Sequence, residues 1–278
     1  MKNLILILAC TALVSLNASA QKLTAEQVVA RSLDSIAKSS ERAKLKSIVA
    51  IGQANYSKTV GDRLGTQGRA VIASEAGRSA FAMAFRASSY PQEKITFDGK
   101  EVTIAFATPG ARSPFGGFLQ TFRDVVTDGL LGGTLMRNWL LYDAANASRG
   151  KLTVEGLKKI DGKDVYAVSY IRKGGSDLDV RLYFDKETFR HVRTEYKRVF
   201  AAPMGPTPEL SARQSETRYG LVEDFSDFKT EYGVTLPRKY TIRFSADNGR
   251  TTSEYTYTLE FANFYYNQEL DADTFSGN

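Results

Sequence analysis

Cysteine is almost missing from this chain. The 278 residues hold one, Cys10, inside an N-terminal segment expected to be removed, so the mature chain has neither disulfides nor thiol chemistry. Histidine is as scarce, with His191 alone. Zinc sites take clustered His, Cys or carboxylate ligands, and one imidazole without cysteine argues against a metal centre. A Ser-His-Asp triad would have to use His191, and no Gly-x-Ser-x-Gly elbow exists to pair with it. His191 is therefore expected as an exposed strand residue. No apolar run after residue 20 is long enough to span a bilayer. Charge of one sign is also lacking: 37 Lys and Arg face 31 Asp and Glu, a net +6 that suits ordinary solubility as well as an acidic partner.

The N-terminus carries an address. Lys2 precedes an apolar stretch from Leu4 to Leu16, and Ala18-Ser19-Ala20 offers a small-residue cleavage site. Residues 1–20 read as a secretion signal, with the mature chain starting at Gln21. A lipobox at Cys10 fits less well, because Leu8 is bulky where a small residue is usual. Residues 21–278 are expected to form a single β domain.

Three dipeptides, Asp98-Gly99, Asp161-Gly162 and Asn248-Gly249, each separate runs of alternating apolar and polar residues. They predict type I′ hairpins, whose two central residues both need φ > 0, and hence a long antiparallel meander. An amphipathic helix is expected before it, from Leu23 to Lys46, with Thr24 and Gln27 as a capping box. In Ser79–Phe85 the residues Phe81, Met83 and Phe85 point one way, while Ala80, Ala82 and Ala84 leave the other face open to close approach. Ile95 and Phe97 lead into the Asp98 turn, and Val102, Ile104 and Phe106 return from it. Residues 108–147 interrupt the meander. There Phe118, Phe122, Val125 and Val126 form a helical stripe, and a second, less regular helix is expected from Leu130 to Tyr142. The sheet resumes from Lys151 to Thr194, and four more strands are expected near 219–230, 234–246, 251–262 and 263–268.

Several short motifs have plainer readings than their chemistry suggests. Ser35-Ile36-Ala37-Lys38 matches a penicillin-binding nucleophile motif but lacks its partner elements and lies on an amphipathic helix. Gly156–Lys163 has the wrong spacing for a phosphate loop and reads as a hairpin. Asp177/Asp179 and Asp271/Asp273 are paired carboxylates, expected as solvated surface rather than acid/base machinery or calcium ligands. No catalytic residue, metal or cofactor is expected. Tyr196-Lys197-Arg198 and Arg238-Lys239-Tyr240 interleave base and aromatic, but secretion argues against nucleic acid. What remains is apolar: 16 Phe and 14 Tyr, many at alternating positions on a sheet with few helices to cover it.

The order of several strand-and-turn signatures resembles one family. Leu182-Tyr183-Phe184-Asp185-Lys186-Glu187-Thr188-Phe189 is similar to its strand, Asp-x-x-Thr turn and strand. Asp227–Pro237 is similar to its Gly-hydrophobic-x-Leu-Pro hairpin, Phe97-Asp98-Gly99-Lys100 to its Asp-Gly-Lys hairpin, and Phe264–Phe275 to its closing segment. These are the bacterial outer-membrane lipoprotein-sorting proteins, the LolA/LolB-type carriers. The resemblance implies a mainly β, α+β fold: a strongly curved, open antiparallel sheet, an unclosed barrel whose concave side is covered by helices and receives acyl chains. Residues 115–142 would be the helical lid. Where such carriers hold the lid with an arginine before a proline, this chain has Glu75-Ala76-Gly77-Arg78. The implied function is a periplasmic lipid or lipoprotein carrier in sorting to the outer membrane. Expected lining residues are Phe81, Met83, Phe85, Ile95, Phe97, Ile104 and Phe106 from the sheet, with Phe118, Phe122 and Trp139 from the lid. The implied partners are acyl chains, an inner-membrane exporter and an outer-membrane receptor, with the protein itself monomeric. The rival readings are an envelope-stress sensor or scaffold that binds lipoproteins without moving them, and a secreted hydrolase, which would need a polar constellation in the interior.

Overall fold

The computed structural model describes residues 23–59, 65–142, 148–202, 204, 206–207 and 215–277. The expected signal peptide and Cys10 lie outside the described residues. No helix among them is long and apolar enough to cross a membrane.

Helix α1 (Ala25–Ile36) opens with the expected capping box: Thr24 Oγ1 accepts from Gln27 N at 3.3 Å, and Gln27 Oε1 accepts from Thr24 N at 3.0 Å. The helix does not run on to Lys46. Ala37 and Lys38 are extended, and a short α2 (Ser39–Lys44) follows. Serines weaken helix continuity by bonding locally, as Ser35 Oγ does to the Ser32 carbonyl at 2.7 Å. Arg42 then reaches back to the Ala37 carbonyl and to Asp34.

Twelve strands make one antiparallel sheet. The chain first lays down β1 (Ser47–Lys58), β2 (Gly65–Glu75), β3 (Arg78–Phe85), β4 (Gln92–Phe97) and β5 (Val102–Ile104). After the interruption come β6 (Gly150–Ile160), β7 (Lys163–Arg172), β8 (Asp179–Asp185), β9 (His191–Phe200), β10 (Thr217–Glu231), β11 (Val234–Asp247) and β12 (Thr252–Tyr266). The spatial order is β5-β4-β3-β2-β1-β12-β11-β10-β9-β8-β7-β6. β1 and β12 therefore pair at the middle, and β5 and β6, consecutive in sequence, are the two edges. The sheet is not closed.

The last two expected strands are one. Between Ile51↔Asn263 and Gly52↔Phe261 the register slips by a residue, so Ala262 is a bulge inside β12 rather than a break. Gly52 is required there, since a Cβ would sit 2.1 Å from the Glu260 carbonyl oxygen. The hairpin turns also differ from expectation. Asp161 (φ 50°) and Gly162 (φ 81°) form the predicted I′ pair, but at Asp98-Gly99 and Asn248-Gly249 only the glycine has positive φ. In those two turns the side chain folds back instead. Asp98 Oδ1 accepts from the amides of Lys100 and Glu101, and Asn248 Oδ1 from those of Arg250 and Thr251. The unforeseen I′-like turn is Tyr232-Gly233, at φ 52° and 79°.

Between the edge strands β5 and β6, the described residues 105–142 form a crossover segment. They contain α3 (Pro114–Thr121), capped by Ser113 Oγ on Gly116 N at 2.8 Å, and α4 (Asp124–Thr127). The stripe Phe118, Phe122, Val125, Val126 spans both helices. The expected helix from Leu130 to Tyr142 does not form. Gly129, Gly132 and Gly133 have φ of 72°, 77° and 49°, and only a 3₁₀ turn at Gly133–Leu135 is helical.

The concave face and the crossover share one core. On the opposite face, Ala73 and Ala80 receive Phe275 from the C-terminal tail, with the Arg78 guanidinium 4.6 Å from its ring centroid. The small-residue face of β3 is covered only at Ala80; Ala82 is half-buried and Ala84 exposed.

Candidate functional site

Alternation along β3 and β4 aims Phe81, Met83, Phe85, Ile95 and Phe97 inward, and Ile104 joins them from β5. All six are buried, in the same cluster as Phe118, Phe122 and Trp139 of the crossover. Nine of the ten expected residues thus meet in one interior. Phe106 does not. β5 ends at Ile104, the chain turns away, and Phe106 is 47% exposed, with the Arg112 guanidinium 4.5 Å from its ring centroid.

The interior is packed rather than hollow. The crossover fills the concavity with Phe115, Leu119, Val125, Leu130, Leu135 and Trp139, all buried. The main clefts among the described residues have volumes of about 400 to 730 Å³. None is lined by Phe81, Met83, Phe85, Ile95, Ile104, Phe118 or Trp139; Phe122 and Phe97 each border one.

The crossover is held by side chains. Among the described residues no backbone-to-backbone hydrogen bond joins residues 108–142 to a strand. Gly132 N donates to Glu223 Oε1 at 2.7 Å, Arg137 N to Ser74 Oγ at 2.7 Å, and Asn138 Nδ2 to Ser79 Oγ at 3.2 Å. Arg137 Nε also reaches the Leu45 carbonyl at 2.6 Å. Arg78 takes no part: it pairs with Glu75 and stacks on Phe275.

Two buried glutamates anchor this arrangement, and both escaped the sequence reading. Glu223 on β10 accepts from Tyr196 at 2.6 Å, from Tyr240, and from the Gly132 amide. Glu93 on β4 accepts from Tyr90, whose hydroxyl lies 3.0 Å from that of Tyr257. Its other oxygen sits against Gly116 at the start of α3, 2.7 Å from where a Cβ would be. Burial pushes both carboxyls up to about 7, against the opposing pull of hydrogen bonding from Ser113 and Tyr90 at Glu93 and from Tyr196 and Tyr240 at Glu223. Each glutamate thus touches a different part of the crossover: Glu93 its first helix, Glu223 the Gly132 amide farther along.

His191 is not exposed. It lies between Trp139, at 5.1 Å between centroids, Phe225 at 4.8 Å and Phe184 at 5.5 Å. Its Nε2 meets Thr194 Oγ1 at 2.9 Å, and burial pushes its pKa down to about 3. Gly133 passes so near that a Cβ would lie 2.8 Å from His191 Nδ1. Several buried polar atoms under the crossover have no hydrogen-bond partner: Thr134 Oγ1, Asn138 Oδ1, Trp139 Nε1, His191 Nδ1 and Glu93 Oε1.

Among the described residues no three metal-ligating side chains come together. Asp177 and Asp179 pair with Arg198 and Arg181, and Asp271 and Asp273 are exposed beside a 3₁₀ turn.

An unclosed antiparallel sheet wrapped around an inserted segment is the architecture expected from the sequence. The backbone is similar to a LolA superfamily protein from Nitrosomonas europaea, at 12% identity and TM-score 0.48, covering 91% of this chain and 98% of that one. It is also similar to a DUF1329 family protein from Desulfovibrio piger, at 11% identity and TM-score 0.43, covering 90% and 96%. No family model and no curated protein matches the chain.

Proposed function

We propose that this protein is a periplasmic carrier that shelters acyl chains of lipids or lipoproteins on the concave face of its sheet, with residues 108–142 as the lid. The observation that carries the reading is the mismatch in how the lid is attached. It contributes a large apolar surface to the core yet shares no backbone ladder with the sheet. Apolar contact is non-directional, so an acyl chain can replace it. The lid's polar anchors are side-chain contacts, to Glu223, Ser74 and Ser79 and from Tyr170 and Arg172 to the buried Asp128, and the partnerless polar atoms under the lid weaken its seat.

In this reading lid and cargo compete for the same surface. Burying a long acyl chain is worth on the order of 10 kcal/mol gross, at about 0.8 kcal/mol per CH₂. Unseating Phe115, Phe118, Leu119 and Trp139 offsets much of that gain, so cargo is held loosely enough to be passed on to a receptor. The residues in contact with cargo would be Phe81, Met83, Phe85, Ile95, Phe97 and Ile104. Binding, not covalent chemistry, is the assigned role.

Trp139 is the only tryptophan, fully buried on His191, so it reports the lid directly. Titration with a long-chain lysophospholipid should red-shift its emission and raise thermal stability, and organic extracts of natively purified protein should contain lipid. Unchanged emission and stability, with extracts free of lipid, would rule the carrier out. A lipid-loaded protein that never passes its lipid to acceptor vesicles would favour the sensing role over transport.

A further inference from the structure

One cleft is lined by residues from beside both sheet edges and from the crossover. Phe97 and Lys100 reach it from the β4–β5 turn, Arg149, Arg172 and Lys173 from the ends of β6 and β7, and Thr127 and Asp128 from α4 and the residue after it. Its volume is about 400 Å³. The single carboxylate is already engaged: Asp128, buried, accepts from Tyr170 Oη and Arg172 Nε, both at 2.9 Å. Arg149 donates to the Thr127 carbonyl, which is uncharged. Among the described residues no carboxylate lies within ion-pair distance of Lys100, Arg149 or Lys173. Nearby Asp98 caps its own turn and Asp124 accepts from Ser176.

Three exposed cations of like charge thus converge from opposite edges of an unclosed sheet on one concavity. Like charges brought together repel, and an anion placed among them turns that repulsion into attraction. Phe97 belongs both to this wall and to the apolar interior, so one side chain separates the cleft from the lid's seat.

We propose that this cleft receives the phosphate-bearing head of an anionic amphiphile, whose acyl chain passes Phe97 into the interior. The inference rests on the carrier reading and adds a head-group preference to it. Arg149 and Arg172 supply planar donors, and Lys100 and Lys173 supply mobile charge. A seated head group would bridge the two edges across the lid and hold the cargo-bound form together.

The test compares lysophosphatidic acid with lysophosphatidylcholine of the same acyl chain, each below its micelle concentration, and inorganic phosphate alone, by Trp139 emission and thermal shift. Wild-type protein is expected to bind the phosphomonoester lipid at least tenfold more tightly than the choline lipid, with a preference that shrinks as salt rises. The double variant Lys100→Gln/Lys173→Gln, at exposed positions, should lose that preference and keep its affinity for the choline lipid. Equal binding of both lipids by wild type overturns the head-group site and leaves the carrier. Phosphate binding without either lipid shows a free-anion site and overturns the proposal, and binding of none of the three overturns both readings.

Discussion

At the scale of single residues, a carboxyl buried between two tyrosines makes the protein's stability depend on pH in a direction opposite to a surface carboxylate. Glu223 titrates near 7 when folded and near 4.5 when unfolded. The folded state therefore binds its proton more tightly, and stability falls as pH rises from about 4.5 through 7. Glu93, raised likewise to about 7, adds to the same slope, so Glu223→Gln should reduce it without abolishing it in urea unfolding measured at pH 5, 7 and 8.5; an unaltered slope would show that Glu223 does not contribute. His191 works the other way. Its folded pKa is depressed to about 3 from 6.5, so it contributes stability that is lost as pH falls below about 6.5. As the only histidine it gives one imidazole signal in NMR, expected to stay in its neutral form at pH 5; titration near 6.5 would contradict its burial. Both glutamates left a trace in the sequence. Glu93 alternates with Ile95 and Phe97, and Glu223 with Leu221 and Phe225, so strand parity already pointed them inward. Charge alone points the other way, toward solvent, and here parity prevails. His191 carried no such trace, because the register slip between Tyr183 and Phe184 breaks the alternation beside it.

The elements were legible to the extent that local chemistry governs them. The Thr24 capping box, the Asp161-Gly162 turn and the two faces of β3 are short-range consequences of residue type, and the structure has them. The crossover departs from the expected helix because helical spacing from Leu130 to Tyr142 competes with three left-handed glycines, and the glycines prevail. They are also what lets the segment pass so near its neighbours. Gly132→Ala would place a methyl 2.8 Å from Met136 Cγ at φ 77°, a strain of roughly 1–3 kcal/mol, which should loosen the lid while sparing the sheet. Hydrogen exchange separates the two elements without mutation. Amides of residues 115–142 are expected to exchange well before those of β1 and β12, since only side chains tie the crossover down. Equal protection would mean that lid and sheet open as one unit.

At the scale of the whole molecule, the pairing of β1 with β12 sets the folding problem. Ser47–Lys58 cannot gain its second neighbour until Thr252–Tyr266 is available, and contacts so distant in sequence fold slowly, in milliseconds to seconds. A chain cut before Thr252 should fail to give the dispersed, protected spectrum of the full protein; a folded truncation would show that each half of the sheet stands alone. This topology could not be read from the sequence. Turn signals mark where strands reverse, but nothing local says that the first strand meets the last.

The two free edges carry a mechanical consequence. A closed barrel has its diameter fixed by strand number and stagger. Here Val102–Ile104 and Gly150–Ile160 share no ladder, so the girth of the half-barrel is set by whatever fills it. In the proposed carrier role, cargo of a different bulk would be met by a change in the sheet's curvature, and one scaffold could be tailored to one chain or several without altering a strand.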